Sequence, residues 1–190
     1  MVNTIFLDRD GVINVDSPDY IKNPFEFHFI PGSAEALAAL SCRGFDLIII
    51  SNQSVIGRKM ASLEDVRAVF EKLKKGVNAL DGHIRDIFYC PHTPEDHCNC
   101  RKPKPGLIFQ AVEKYGIDPA SSCMIGDSAK DIECGRNAGC GFSLLVKTGN
   151  GEKAALELEE KKIIPDYTGK DLMACARWIC NNFKTSDPVL

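Results

Sequence analysis

The sequence predicts an α/β fold, a three-layer sandwich in which helices cover both faces of a mostly parallel sheet. Two observations predict it. Short apolar runs alternate along the chain with amphipathic stretches of helical period, a succession that sets the strands parallel to one another. In addition, the run at residues 45–50 (FDLIII) is apolar enough to be buried on both faces, as strands of a parallel sheet are.

In the first half of the chain, apolar runs predict strands at residues 4–7, 45–50 and 84–89. A helix is predicted with Ser33 as its N-cap and an end near Gly44, because serine caps helices well and glycine ends them. A second helix is predicted from Ser62, with Asp65 three residues on in the capping-box position.

In the second half, helices are predicted at residues 105–115 and from about 128 to 138, and strands at 122–125 and 142–146. From Gly149 onward the chain is more charged (EKAALELEEKK). There we expect a surface helix, a short strand near Asp166 and Tyr167, and a last helix over residues 171–183.

Size and composition indicate an ordinary globular chain. At 190 residues, with 44% hydrophobic and 26% charged residues, we expect one domain spanning residues 1–190. The net charge of −3 offers no footprint for nucleic acid, and no apolar run approaches the roughly 20 residues that a membrane helix needs. Since the N-terminal residues lack the pattern of a secretory signal, we expect a cytoplasmic protein. We further expect a monomer that binds neither nucleic acid nor membrane.

Three polar side chains, Asp8, Ser51 and Asp127, stand directly after apolar runs. Ligands of parallel sheets bind beyond the carboxyl ends of the strands, so these side chains should converge on one edge. Asp8 and Asp10 lie two residues apart and share a face if the chain stays extended, and Gly11 permits the turn that follows.

This acidic set predicts phosphoryl chemistry with magnesium. A carboxylate can attack phosphorus and form an acyl phosphate, while a second carboxyl gives and takes protons. Two carboxylates would repel a dianionic phosphate, so a hard cation such as Mg²⁺ has to lie between them. Asp131, four residues after Asp127, either points to the same metal or is a helix N-terminal charge that the helix dipole favours.

A polar loop at about residues 90–100 carries a second set of metal-ligating residue types: Cys90, His92, Cys98 and Cys100. Three thiolates and one imidazole suit a tetrahedral structural Zn²⁺ site. His97 is the competing imidazole, but the symmetric C-x-H and C-x-C pairs favour His92. Because the loop runs into Arg101 and Lys102, we expect the zinc to position these two cations. The remaining cysteines are expected to be small buried side chains in a reducing compartment: Cys42, Cys123, Cys134, Cys140, Cys175 and Cys180.

Four segments in order, DRDGV, SNQS, RKPKPG and GDSAKD, resemble the four motifs of the haloacid dehalogenase (HAD) superfamily. The resemblance implies a Rossmann-like fold of the capless HAD type with a zinc-binding loop. It implies a phosphatase, because both aspartates of the first motif are present. By this resemblance Asp8 is the nucleophile, Asp10 the acid and base, Ser51 a ligand of a phosphoryl oxygen, and Lys102 the cation that neutralises the phosphate. The implied Mg²⁺ ligands are Asp8, Asp10 and Asp127.

Together with the cysteine loop, these segments resemble more narrowly the D-glycero-D-manno-heptose 1,7-bisphosphate 7-phosphatases, relatives of the histidinol-phosphate phosphatases. This implies removal of the C7 phosphate of a sugar bisphosphate during synthesis of nucleotide-activated heptose, a lipopolysaccharide or S-layer precursor. Carried over by position, the substrate contacts fall on these residues: Asp16, Ser17, Pro18, Asp19, Ser51, Asn52, Gln53, Ser54, Arg101 and Lys102. Arg101 is expected to recognise the distal part of the substrate, since guanidinium suits bidentate phosphate binding.

Alternatives remain open at this point. Histidinol phosphate or another small phosphomonoester is the second candidate substrate. A non-catalytic regulatory or scaffold domain and a phosphotransferase or mutase are candidates of other classes. The chain also has Ser128 where the resemblance favours lysine, and Lys130 is not expected to replace it because residues two apart on a helix face different directions.

Overall fold

The computed structural model describes residues 2–183 and is organised around one sheet of six strands in the order β3-β2-β1-β4-β5-β6. The strands are β1 Thr4–Leu7, β2 Asp46–Asn52, β3 Asp86–Cys90, β4 Ser122–Gly126, β5 Phe142–Val146 and β6 Tyr167–Gly169. Each pairing in this sheet is parallel. The predicted α/β class is confirmed, and the predicted domain, residues 1–190, lies within the described range except for Met1 and residues 184–190.

Within residues 2–183, six α-helices lie between the strands and a seventh follows β6: α1 Ser33–Cys42, α2 Ser54–Gly57, α3 Leu63–Asn78, α4 Gly106–Tyr115, α5 Ala129–Ala138, α6 Gly151–Glu160 and α7 Leu172–Asn182. Helix α1 packs against α3 and α7, whereas α5 packs against α4 and α6. None of the helices within residues 2–183 is long and apolar enough to cross a membrane.

The side chains of β1 belong to two hydrophobic cores, one on each face of the sheet, because side chains alternate between the faces of a strand. In β1, Ile5 and Leu7 belong to the core that includes Leu37, Leu73 and Ile179 from α1, α3 and α7. Phe6, between them, belongs to the core formed with Leu107 and Cys134 of α4 and α5. Both faces of the sheet are therefore covered, which explains the continuous apolar runs in the sequence.

Some predicted element ends hold and others do not. Ser62 caps α3 as predicted, with its hydroxyl accepting from the backbone N–H of Asp65 and the Asp65 carboxylate accepting in return. The prediction of Ser33 as an N-cap is wrong. Gly32, with φ at +84°, holds that position, and the Ser33 hydroxyl donates to the carbonyl of Ile13 at 2.6 Å. A contact twenty residues away in sequence thus replaces the local cap.

The expectation that the scattered cysteines are buried holds for Cys123, Cys134 and Cys175. It is wrong for Cys42, which is exposed at the last residue of α1, and Cys140 and Cys180 are only partly buried. The Cys42 sulfur donates to the carbonyl of Asp81 at 3.7 Å but stays exposed to solvent.

The carboxyl ends of β1, β2 and β4 lie side by side, because β1 is the strand between the other two. Asp8 follows β1 directly, and Asp127 follows β4 directly. Ser51 lies inside β2, which continues to Asn52, so it does not follow the strand as predicted. Hydrogen bonding to β3 extends β2 beyond its apolar run, since Ser51 pairs with Tyr89 and Asn52 with Cys90.

Candidate active site

A buried lysine joins two acidic segments at this edge of the sheet. The Nζ atom of Lys102 lies 2.7 Å from Oδ1 of Asp8 and 2.6 Å from Oδ1 of Asp131. The Lys102 side chain is 2% exposed and that of Asp131 is 1% exposed. Asp131 also caps α5 with its other oxygen, which accepts from the backbone N–H and the hydroxyl of Ser128. Asp131 is therefore both a helix-end charge and a member of the site.

Three carboxylates crowd together here with a single lysine between them. Asp8, Asp127 and Asp131 can each offer an oxygen to one position, and these oxygens lie within 4.8 Å of one another. Burial, opposed by Lys102, raises the pKa of Asp8 well above its usual range. Burial and the charge of Asp131 raise the pKa of Asp127 to about 7. Three buried carboxylates repel one another when they are ionised, and a divalent cation bound between them would remove that repulsion. Carboxylate oxygens are also the ligands that Mg²⁺ prefers.

Asp10 lies outside that cluster and is held by a different cation. Its two oxygens accept from Nη2 of Arg9 at 2.6 and 2.7 Å, and they also accept from Asn14 at 2.9 Å and Gln53 at 3.2 Å. Burial alone would raise the pKa of Asp10, but the charge of Arg9 and these hydrogen bonds lower it. Asp10 is therefore ionised in this conformation, with its carboxylate held by Arg9, Asn14 and Gln53.

Arg9 was not among the residues singled out from the sequence. It is 1% exposed, with its guanidinium 5.8 Å from the ring centre of Phe70. Its backbone N–H also donates to Asp8 at 2.7 Å. One residue therefore orients both aspartates of the first motif, which only the folded chain makes apparent.

Two glycines allow the backbone to approach Asp127 closely. A β-carbon on Gly11 (φ +77°) or on Gly149 (φ +58°) would collide with the Asp127 carboxylate. The loop around Gly149 is tied to the first motif, because the Thr148 hydroxyl donates to the carbonyl of Gly11 at 2.6 Å. In the same loop, the backbone N–H of Asn150 donates to Asp127 at 2.8 Å. The sequence predicted the turn at Gly11, but not this second loop.

A cleft of about 440 Å³ opens above these side chains. Its lining includes most of the predicted site residues: Asp8, Asp10, Asp16, Ser17, Pro18, Asn52, Gln53, Ser54, Arg101, Lys102 and Asp127. Two others are not brought to its wall. Asp19 is exposed outside it, and Ser51 is fully buried beneath it, with its hydroxyl accepting from Gln53 at 2.8 Å.

The cleft also has lining residues that were not predicted, among them Lys130 and Lys153. Lys130 lines the cleft although it lies two residues from Ser128; that it does not replace a lysine at position 128 stays a prediction. Ser128 is the N-cap of α5 and has an extended backbone (φ −129°, ψ 154°), so helical spacing does not apply between these two residues. Both Ser128 and Lys130 consequently line the cleft.

The cysteine loop forms a compact set of donors. Four donor atoms make up the set: the sulfur atoms of Cys90, Cys98 and Cys100 and Nδ1 of His92. Five of the six distances between them are 3.2 to 3.6 Å. Ligands about 2.3 Å from a tetrahedral metal lie about 3.8 Å apart, so the donor set fits Zn²⁺ after a slight expansion. Burial would raise the pKa of the Cys98 thiol, but hydrogen bonds from Cys100 and Cys90 lower it to about 7. His92, and not His97, belongs to the cluster.

Arg101 is held by a contact with the cysteine loop, and Lys102 is held by contacts with β2. Nη1 of Arg101 donates to the carbonyl of His92 at 3.2 Å. Asn52 accepts from the backbone N–H of Lys102 at 3.1 Å and donates to its carbonyl at 3.3 Å. Asn52, predicted as a substrate contact, thus also fastens the peptide that carries Lys102.

Comparisons with known proteins point to one group of enzymes. Residues 99–175 match the sequence family described as HAD-hydrolase-like. The chain is 46% identical over 147 residues to the D-glycero-beta-D-manno-heptose-1,7-bisphosphate 7-phosphatase of Pseudomonas aeruginosa, covering 77% of this chain and 82% of that protein. It is 41% identical over 175 residues to the same enzyme of Pseudomonas putida, covering 91% of this chain and 97% of that one.

Solved structures agree. The crystal structure of D,D-heptose 1,7-bisphosphate phosphatase from Bordetella bronchiseptica, complexed with magnesium and phosphate, superposes with a TM-score of 0.89 at 34% identity. The superposition covers 96% of this chain and 100% of the Bordetella bronchiseptica chain. The corresponding phosphatase from Burkholderia thailandensis superposes with a TM-score of 0.71 at 31% identity, covering 95% and 99%.

Proposed function

The chain belongs to the D-glycero-D-manno-heptose 1,7-bisphosphate 7-phosphatase family of HAD-like hydrolases, and from this premise we propose that it hydrolyses the C7 phosphate of that sugar bisphosphate. As a member of this family it is a Mg²⁺-dependent phosphatase. Such a reaction would serve the synthesis of nucleotide-activated heptose. Its product would be the sugar that keeps only the phosphate at C1.

The observation that carries the proposal is the ion pair of buried Lys102 with Asp8 at the end of β1, beside the acidic residue that follows β4. Nothing in the packing of an α/β sandwich requires a lysine and three carboxylates to be buried together at one edge. Burying charges costs free energy unless partner charges or a bound ion offset that cost, so a buried charged cluster indicates a role in binding or catalysis. A nucleophile, a cation for the phosphate and metal donors account for all of them.

In the proposed reaction, an oxygen of Asp8 attacks phosphorus while the bond from phosphorus to the sugar oxygen breaks, which leaves an aspartyl phosphate. Lys102 neutralises charge on Asp8 and on the transferred phosphoryl group. Ser51 is buried beneath the cleft, so its proposed role is to donate to a phosphoryl oxygen bound at the floor; its hydroxyl proton is available because it accepts the hydrogen bond from Gln53. Water then attacks phosphorus, the bond to Asp8 breaks, and inorganic phosphate leaves.

Asp10 is proposed to protonate the leaving sugar oxygen in the first step and to take a proton from the attacking water in the second. Its ionised resting state, paired with Arg9, suits the second role. For the first role it has to bind a proton. A dianionic phosphate bound nearby favours this, since a like charge raises the pKa of a carboxyl group.

The proposed Mg²⁺ ligands are Asp8, Asp10 and Asp127. Because the carboxylate of Asp10 is turned toward Arg9, its backbone carbonyl is the group that would serve as a hard oxygen ligand. Bound Mg²⁺ would neutralise the charge that builds up on the phosphoryl oxygens. In the second site, Cys90, His92, Cys98 and Cys100 would hold Zn²⁺ and so stiffen the loop that carries Arg101 and Lys102.

We also propose that residues 1–190 act as one domain, as a monomer in the cytoplasm, on a small soluble substrate without nucleic acid. The proposed catalytic residues meet at one edge of a single sheet, where Lys102 contacts Asp8, and this supports a single domain. Several buried thiols and a cysteine cluster with metal-binding spacing support a reducing compartment.

Release of inorganic phosphate tests this function. The purified protein would be assayed with the α and β anomers of D-glycero-D-manno-heptose 1,7-bisphosphate and with histidinol phosphate, each with Mg²⁺ and with EDTA. We expect Mg²⁺-dependent release from a heptose bisphosphate and the highest kcat/KM there. Asp8→Asn should abolish turnover. Faster release from histidinol phosphate would support that substrate instead, and appreciable activity in Asp8→Asn would refute the covalent mechanism.

A further inference from the structure

In the described part of the chain, five cations line the cleft, and three of them have partners; one of these, Arg101, donates to the carbonyl of His92 at 3.2 Å. Arg9 is committed to Asp10, and Lys102 is committed to Asp8 and Asp131. Lys130 and Lys153 also line the cleft and are exposed, but within residues 2–183 neither forms an ion pair or hydrogen bond. Two positive charges at the wall of the cleft are therefore available to a ligand.

The positions of these two lysines are unfavourable for the helices that carry them. Lys130 is the second residue of α5, and Lys153 is the third residue of α6. The first turn of a helix carries partial positive charge, so acidic residues stabilise it and lysines do not. Each helix does have an acidic residue in its first turn, Asp131 in α5 and Glu152 in α6, but these carboxylates pair with Lys102 and Lys147. Lys130 and Lys153 therefore add positive charge to the first turns of α5 and α6, at the wall of the cleft.

Both lysines face the same region. Hydrogen bonding and the charge of Lys161, together with the charges of Lys130 and Lys153, lower the pKa of Glu157, which is itself a cleft residue. The N-terminal ends of the two helices are joined, since Asn150 at the start of α6 donates to Asp127 just before α5. This wall therefore adjoins the acidic cluster directly, and it is built from elements other than the cysteine loop that carries Arg101.

We propose that Lys130 and Lys153 bind the second phosphate of the substrate, the one that is not hydrolysed, at the wall formed by the first turns of α5 and α6. This inference rests on the proposed function, because it assigns a place to the distal phosphate of a sugar bisphosphate. A phosphate at the N-terminal end of a helix is favoured by the dipole, and two ammonium groups add charge-assisted hydrogen bonds. The wall then selects bisphosphates over sugars with a single phosphate.

The test compares the wild-type protein with Lys130→Met/Lys153→Met on two substrates, D-glycero-D-manno-heptose 1,7-bisphosphate and the corresponding 7-phosphate. We expect the ratio of kcat/KM for the bisphosphate to kcat/KM for the monophosphate to fall about tenfold or more, mainly through KM for the bisphosphate. An equal loss on both substrates, or no loss on either, would overturn the assignment. A matched control, Lys75→Met/Lys170→Met, removes two exposed lysines that do not line the cleft and should leave the ratio unchanged.

A binding measurement separates this inference from the proposed function. D-glycero-D-manno-heptose 1-phosphate carries only the distal phosphate, so isothermal titration calorimetry with it requires no turnover. We expect its Kd to rise about tenfold or more in Lys130→Met/Lys153→Met and to stay constant in the control. An unchanged Kd would refute the lysine site even if the wild-type protein hydrolyses the bisphosphate. Absence of hydrolysis by the wild-type protein, with a raised Kd in the double variant, would refute only the proposed function.

Discussion

Replacing Lys102 by methionine removes the only cation within ion-pair distance of Asp8 among the described residues. Methionine keeps a similar unbranched stem, so the change is chiefly electrostatic. Asp131, which is fully buried, would keep only its capping contacts with Ser128. Asp8 would keep the hydrogen bond from the Arg9 backbone.

Removing one partner of a buried ion pair costs about 3–5 kcal/mol, because the other charge stays buried and unpaired. In a protein of 190 residues, each kcal/mol lowers Tm by about 2–4 °C, so we expect a decrease of about 6–20 °C. We also expect kcat to fall by about 100-fold or more, since a charge that stabilises the transition state is lost.

The destabilisation should depend on pH. The charge of Lys102 lowers the pKa of Asp8, which burial raises well above its usual range. Without it, the folded-state pKa of Asp8 rises further above the unfolded value. A carboxyl with a raised folded pKa destabilises the folded state once the pH passes the unfolded value of about 3.9, so the variant should be closest to wild type in acid.

Urea unfolding of the two proteins in EDTA at pH 5 and pH 8 checks this, with Lys75→Met as a control that removes an exposed lysine of α3. We expect the difference in unfolding free energy to be larger at pH 8. Equal stability of Lys102→Met and wild type at pH 8, or a difference that does not change with pH, would refute the reasoning.

Three further outcomes follow from the site. Gly149→Ala should lower stability by about 1–3 kcal/mol, because Gly149 has a left-handed backbone that alanine adopts with strain. It should also weaken Mg²⁺ binding measured by calorimetry, because the new β-carbon would displace the Asp127 carboxylate. Unaltered Mg²⁺ affinity would contradict this. Cys98→Ser should lose Zn²⁺ by elemental analysis and lower both Tm and kcat/KM, and loss of zinc with neither change would show that the loop does not position Arg101 and Lys102. Since the pKa of Asp127 is raised to about 7, protons compete with Mg²⁺ below that pH, so the rise in Tm on adding Mg²⁺ should be larger at pH 8 than at pH 6, and the reverse order would contradict it.

The local pattern was sufficient for the elements and for the order of the motifs. Strand β1 and the aspartate after it are predicted from three apolar residues followed by Asp8, and β4 with Asp127 is predicted from a similar run. Parallel topology then places both at one edge, since the rule for such sheets needs only the alternation of strands and helices. The set Cys90, His92, Cys98 and Cys100 was equally readable, because its members lie within eleven residues of one another.

Contacts between distant segments were not readable. Asn52 fastens the peptide of Lys102 across fifty residues of sequence, and Asn150 reaches Asp127 across twenty-three. The burial of Ser51 depends on how far β2 pairs with β3, which its own apolar run does not indicate. Such contacts are set by register and by loop paths, and no periodicity records them.

The sequence by itself determined the fold class, the acidic and cysteine sets and the kind of chemistry, because each depends on residue types at short spacing. Only the tertiary structure decided which charges pair: Asp10 pairs with Arg9, and Lys102 pairs with both Asp8 and Asp131. It also decided that Lys130 lines the cleft. The partner of a buried charge is chosen by distance in three dimensions, and that distance exists only after the strands and helices have packed.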